Sequence, residues 1–194
     1  MSEDADKKCP GCGRKAIKTP VKVCDVCHRE VHEKTFGSRK KGCEFERDLA
    51  KMFSEWWGEE KSFRRTPLSG GWDKRAGGDL VTPEQFRFTI EAKHTETWEL
   101  HHLLAEPKMR KGKQLEPCEL EVHWQQALRE TSSGKRPILI FTRNHLPVFY
   151  MMTFDDWHGL PGVTDKRRVL VLAQGEVVRV IGLLEDLLSE WRRP

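Results

Sequence analysis

Apolar residues recur along the chain at spacings that alternate between helical and strand-like. Phe45, Leu49, Met52, Phe53 and Trp56 fall three and four residues apart, which predicts a helix from Cys43 to Trp57 with Gly58 as its stop. Phe63 to Thr66 reads as a short strand, and the glycine-rich stretch Pro67 to Gly78 as a loop. Asp79 to Val81 and Phe86 to Ala92 read as strands, and Pro83-Glu84 between them fits a hairpin turn. Trp98 to Pro117 is irregular and basic. Glu119 to Thr131 has helical spacing and ends at Ser132-Ser133-Gly134. Pro137 to Phe141, Val148 to Met152, Val169 to Leu172 and Val177 to Ile181 read as strands, and Leu183 to Trp191 as a closing helix. Asp155 and Asp156 look like a helix cap. The order helix, three strands, helix, strands is a mixed α/β layout.

The first residues follow a different logic. Cys9-Pro-Gly-Cys12 and Cys24-Asp-Val-Cys27 are two matched C-x2-C pairs separated by eleven residues. A two-residue gap lets one turn aim both sulfurs at one ion, and two such turns complete the tetrahedral shell of structural zinc. Between the pairs the only sizeable apolar residues are Ile17, Val21 and Val23, too few to fold without a metal. Disulfides are the rival, disfavoured in a reducing compartment. His28 or His32 would replace a cysteine only if the four thiolates failed to close the shell. The expectation is a zinc-ribbon-like module at 1–36, a basic linker at 37–42 and an α/β domain at 43–194. Cys43 and Cys118 then remain as free, partly buried thiols.

Composition adds the surroundings. Charged residues make up 33% of the chain, and no apolar run approaches the roughly 20 residues that span a bilayer, so a membrane protein is not expected. The first residues also lack the apolar centre of a signal peptide. A reducing, cytoplasmic setting is expected. Net charge is only +4, but residues 1–42 carry eleven basic against six acidic side chains. Further basic clusters at Arg64-Arg65, Lys74-Arg75 and Lys108 to Lys113 suit a polyanionic partner, or an ordinary solvated surface.

The residues that carry chemistry are Asp79, Glu91 and Lys93. On a strand, Glu91 and Lys93 leave the same face, while Ala92 points the other way toward the core. If the strands pair as a hairpin, Asp79 lies beside Glu91. Two carboxylates held together are costly without a cation, and oxygen donors of this kind suit Mg²⁺ or Mn²⁺. Lys93 adds a positive charge for a phosphate or its attacking water. The bland alternative is an exposed hairpin with a surface salt bridge.

Asp79 followed by Glu91-Ala92-Lys93 resembles the signature of the PD-(D/E)xK nuclease superfamily, with Gly78 in place of the proline. Lys41-Gly42-x3-Glu46-Arg47 and Phe63-Arg64-Arg65-Thr66-x2-Ser69-Gly70 resemble archaeal and phage-type Holliday junction resolvases of that superfamily. The resemblance covers about 39–153. It implies a restriction-endonuclease-like core, a mixed central sheet flanked by helices. It implies that Glu46, Asp79 and Glu91 hold magnesium and that Lys93 assists the water, with Glu44 the competing helix carboxylate. It implies DNA contacts from Arg47, Arg65 and a glutamine, Gln125 or Gln126, on the following helix. Trp72, in the glycine-rich loop, would stack on an exposed base. Resolvases act on branched DNA as homodimers, and the tail helix and aromatic residues would supply that interface. Other nucleases of this fold would cut forks, single strands or duplex, and a non-catalytic zinc-ribbon protein would only bind. The histidines His94, His101 and His102 read as surface residues near the site.

Overall fold

Helix α1 spans Asp25–Trp57 and stops where Gly58 turns to φ +78°. The computed structural model describes residues 25–66, 77–104, 109–110, 113–114, 118–164 and 168–193, without the side chains of 25–39, 109, 110, 113 and 114. Cys9, Cys12 and Cys24 of the expected zinc set lie outside the described residues, as do the side chain of Cys27 and the whole of Trp72. The chain divides into two units, Met1–Lys41 and Gly42–Pro194, and the core and the site lie in the second. Residues 37–42, expected as a linker, are helical and part of α1. A glycine costs a helix only about 1 kcal/mol, and the lysines and arginines around Gly42 are good helix formers.

Two short strands follow, β1 (Arg64–Arg65) and β2 (Leu80–Val81), and then β3 (Phe88–His94). A 3-10 turn covers Leu100–Leu103, and β4 (Met109–Arg110) pairs with β5 (Lys113–Gln114) inside the stretch that looked irregular. Helix α2 (Glu119–Glu130) leads to β6 (Arg136–Thr142) and β7 (Phe149–Thr153). A one-turn helix, α3 (Phe154–His158), precedes β8 (Leu170–Gln174), β9 (Val177–Leu183) and α4 (Leu184–Glu190). Five strands form one mixed sheet in the order β3-β6-β7-β9-β8. Only β3 and β6 are parallel, and α2 is the crossover that a parallel pair requires.

Strand alternation divides the core between the two faces of this sheet. Phe88, Ile90 and Ala92 of β3, with Ile138, Ile140, Tyr150, Met152 and Val180, pack against Phe45, Leu49 and Phe53 of α1 and Leu184 and Leu187 of α4. Leu139, Phe141, Met151, Leu172 and Ile181 pack on the other side against Trp98 and the Leu120, Trp124 and Ala127 face of α2. Phe86, 1% exposed, centres an aromatic cluster. Its ring meets those of Phe53, Trp56, Trp57, Phe63, Phe88 and Trp191 at centroid distances of 4.9 to 6.5 Å. Trp191 is buried, and its carbonyl accepts from Trp56 Nε1 at 3.2 Å. The tail helix and its tryptophan, expected as interface material, are therefore used inside the chain's own core.

Two local expectations are corrected. No ladder joins β2 to β3 among the described residues: β2 pairs antiparallel with β1, Arg65 opposite Leu80. The reason lies in Asp79: its carboxylate takes the Ala92 N–H at 2.8 Å, the donor that a laddered neighbour would use. Pro83, just after β2, has no N–H to continue a ladder. The cap of α3 is Thr153, whose side chain accepts from Asp156 N–H at 3.2 Å. Asp156 is instead a buried acceptor for Thr153 Oγ1 at 2.7 Å and Arg87 at 3.3 Å.

Replacing Phe86 by Ala removes the hub that joins α1, the start of β3 and the C-terminal tryptophan. Urea unfolding should register a loss of roughly 3–5 kcal/mol, and a loss below about 1 kcal/mol would show that the cluster closes up without it.

Candidate active site

The site forms at the free edge of the sheet, where β3 meets the Gly77–Asp79 segment. Gly78 adopts φ +80°, and a Cβ there would sit 2.5 Å from the Ile90 carbonyl oxygen. Neither a proline, with φ fixed near −65°, nor any other side chain fits. Gly78 thereby lets the backbone lie against β3. Asp79 N–H donates to the Ile90 carbonyl at 2.8 Å, and Thr66 N–H donates to the Asp79 carbonyl at 2.9 Å. The Asp79 carboxylate, pinned by the Ala92 N–H, is held over the strand that carries Glu91 and Lys93.

Glu91 is 1% exposed, and among the described residues no donor other than Lys93 reaches its oxygens. Lys93 Nζ lies 2.5 Å from Glu91 Oε1. Burial, and then the Asp79 charge, push the Glu91 carboxyl up to about 8 despite Lys93. Burial raises Asp79 too, with the Lys93 charge and the Ala92 N–H pulling the other way. Burial pushes the Lys93 ammonium down, but Glu91 and Asp79 more than offset it and hold it above its ordinary value. Two crowded carboxylates with unsatisfied oxygens are the donor set that a hard divalent cation satisfies.

Glu46 and Arg65 complete the group from the other side. Arg65 Nε forms a short ion pair with Glu46 Oε2, and that hydrogen bond raises the guanidinium further. The Glu46 charge reaches Asp79, and the Asp79 charge reaches Arg65. Residues from α1, β1, the turn before β2 and β3 thus converge on one spot.

The family described as "Phage putative PDDEXK endonuclease" matches residues 37–171, well over half of the chain and all of this site. The chain belongs to that family. Neither a curated protein nor a solved structure matches it. The PDDEXK match leaves out both cysteine pairs and the last strand and helix.

In this family member, α2 brings to the site a stripe of which sequence reasoning singled out only Gln126, as one of two glutamines. Glu119, His123, Gln126 and Glu130 recur at four, three and four residues, one helical stripe. Glu130's charge acts on Asp79, Glu91 and Lys93, and Lys93's charge acts on His123. The stripe was visible as spacing, but nothing in the sequence said which face of α2 meets β3. Gln126 donates to Glu130 Oε1 at 3.0 Å and so belongs to the stripe. Gln125 is exposed and donates to Glu121, which pairs with Arg179 of β9. Arg47 is exposed and, with Arg64 and Arg65, lines a groove of about 620 Å³.

His94 stands edge-on to Phe45 and contacts Asn144 Oδ1 at 3.2 Å. Glu99, His101 and His102 on the 3-10 turn gather ligand-type atoms within 4.8 Å of one another. All three are exposed. No helix among the described residues is long and apolar enough to cross a membrane.

Glu91 sets a pH dependence with an unusual sign. Its carboxyl titrates at about 8 when folded against 4.5 as the ordinary value. Between those values the folded state holds the extra proton, so stability falls as pH rises through this window. Metal-free protein should melt progressively lower from about pH 5 to pH 8, and Glu91→Gln should flatten that slope. Equal slopes in the two proteins would show that the Glu91 charge is compensated after all.

Proposed function

We propose that this chain is a metal-dependent endodeoxyribonuclease of the Holliday junction resolvase type, acting on branched DNA as a homodimer. The observation that carries the nuclease part is the buried Asp79–Glu91–Lys93 group, in which the Glu91 oxygens meet no donor but Lys93 among the described residues. The branched-DNA part rests on Glu46 and Arg65 lying against that group, since both belong to the segments that resemble resolvases. Two symmetric cuts in a junction need two copies of the site.

Asp79 and Glu91, with Glu46 from α1, would hold Mg²⁺ or Mn²⁺. When bound, the ion supplies an acidified water and positive charge beside the scissile phosphate. Lys93 brings an ammonium to the same phosphate and orients the attacking oxygen through its N–H groups. Arg65, braced by Glu46, presents a guanidinium to a neighbouring phosphate. Arg47 and Arg64 extend this positive edge along the groove. Cys9, Cys12, Cys24 and Cys27 would hold a structural zinc ion in the first unit, with Trp72 and a glutamine of α2, Gln125 or Gln126, adding contacts to DNA.

Incubation with labelled four-way junctions, forks, linear duplex and single strands, with and without Mg²⁺, tests the reading. Paired nicks near the branch point are expected only with the cation, with linear duplex intact. Lys93→Ala should slow cleavage by roughly 10²–10³-fold while leaving binding unchanged. Absence of metal-dependent cleavage on every substrate would sink the enzyme. Cleavage of forks, single strands or duplex with junctions spared would transfer the activity to that substrate. Elemental analysis of the purified chain should find one zinc per chain, lost in Cys9→Ser/Cys12→Ser. A zinc-free, folded protein would refute the zinc module.

A further inference from the structure

His123 Nδ1, in the stripe of α2, is buried with no hydrogen-bond partner among the described residues. The other ring nitrogen, Nε2, lies 3.3 Å from Glu119 Oε1. Glu119 is itself fixed, because Thr97 Oγ1 donates to its second oxygen. Burial pushes the Glu119 carboxyl up, but hydrogen bonds led by that of Thr97 hold it below its ordinary value. An ionised carboxylate only accepts, so Nε2 carries the proton and Nδ1 presents a bare lone pair. Burial lowers the ring's pKa and the Lys93 charge lowers it further, against the pull of Glu119, so the neutral ring prevails.

Two donors stand on this side of the sheet edge: Lys93 of β3 and, just past its end, Thr95, whose buried hydroxyl acts on Glu119. Helix and strand run antiparallel between two ties, Thr97 to Glu119 at one end and Ser132 N–H to Thr89 Oγ1, 3.0 Å, at the other. With a rise of about 1.5 Å per helical residue and about 3.3 Å per strand residue, His123 falls roughly a third of the way along, beside the stretch from Lys93 to Thr95. Glu130 falls near the far end, opposite Glu91. Lys93 is on the face that meets α2: its partner on β6, Phe141, packs with Leu120 and Trp124. Lys93 has three donors, and one reaches Glu91.

We propose that His123 is a positioning residue for Lys93, with Nδ1 accepting a hydrogen bond from the ammonium once Glu91 turns its oxygens to a cation. The proposal rests on the nuclease reading of the Asp79–Glu91–Lys93 site. Glu119 fixes the tautomer and the ring plane, and His123 keeps Lys93 inside the site when its ion pair with Glu91 is broken. A second carboxylate in this place would lock Lys93 by charge. A neutral ring holds it in place and leaves its charge for the phosphate.

Single-turnover cleavage of a four-way junction by the full chain, wild type against His123→Leu and His123→Asn, tests this. His123→Leu should lower the rate on the order of tenfold or more, with DNA affinity unchanged. His123→Asn, whose side-chain oxygen falls near the place of Nδ1, should recover most of that loss. A His123→Leu chain that melts and cleaves as wild type overturns the proposal, as does an Asn variant that folds but rescues nothing. A second readout needs no cleavage. The ¹⁵N resonance of His123 Nδ1 should shift on adding Mg²⁺, and Lys93→Met should abolish that shift. A resonance indifferent to Lys93→Met overturns the proposal whether or not the chain cuts DNA. An intact Lys93-dependent shift in a chain that cleaves no substrate would overturn the nuclease reading and leave the His123–Lys93 contact standing.

Discussion

Glu91 is a carboxylate that is 1% exposed and that, among the described residues, no donor other than the Lys93 ammonium reaches. Such a group is stable only if it keeps its proton or meets positive charge. The fold supplies Lys93 on the same strand face, two residues away, and a second carboxylate, Asp79, that makes the need for a cation greater. Glu46 and Glu130 add negative charge from two helices, and Arg65 and Lys93 return part of it. Hydrophobic burial on both faces of the sheet sustains this electrostatic cost.

The geometry depends on backbone as much as on charge. β3 is an edge strand, and an edge leaves N–H groups without partners. Here the Asp79 side chain satisfies one of them, the Ala92 N–H, so the same contact closes the edge and sets the carboxylate. Gly78 makes it possible, because only a residue without Cβ can lie so near the Ile90 carbonyl at positive φ. The signature position that takes proline in the superfamily is therefore occupied here by the residue this backbone requires.

The aromatic cluster around Phe86 performs a related task at longer range. It ties the end of α1 to the approach of β3 and to Trp191. Glu46 sits on the same helix, so the position of one site carboxylate is set by packing well away from it. On the opposite face, Trp98 and Trp124 anchor the 3-10 turn and α2 against the sheet, and α2 in turn brings its polar stripe to Lys93.

Much of this was legible in the chain itself. Period-two and period-3.6 patterns located every long element of the second unit, because each buries one face. The Asp79, Glu91 and Lys93 set was legible because strand alternation alone puts Glu91 and Lys93 on one face. Ala92 turned toward α1 for the same reason. The pairing of β2 was not legible. A two-residue strand carries no register of its own, and Asp79 decided the matter by taking the donor that a hairpin needed. The role of the C-terminal tryptophan was equally hidden, since an apolar helix face looks the same whether it meets its own core or a second copy. Local periodicity thus determined which residues turn inward and which carboxylates share a strand. Only the tertiary structure decided which face of α2 meets Lys93 and whether Glu91 is left with no donor but Lys93. Those depend on contacts between segments far apart in the chain, whose distances no local pattern encodes.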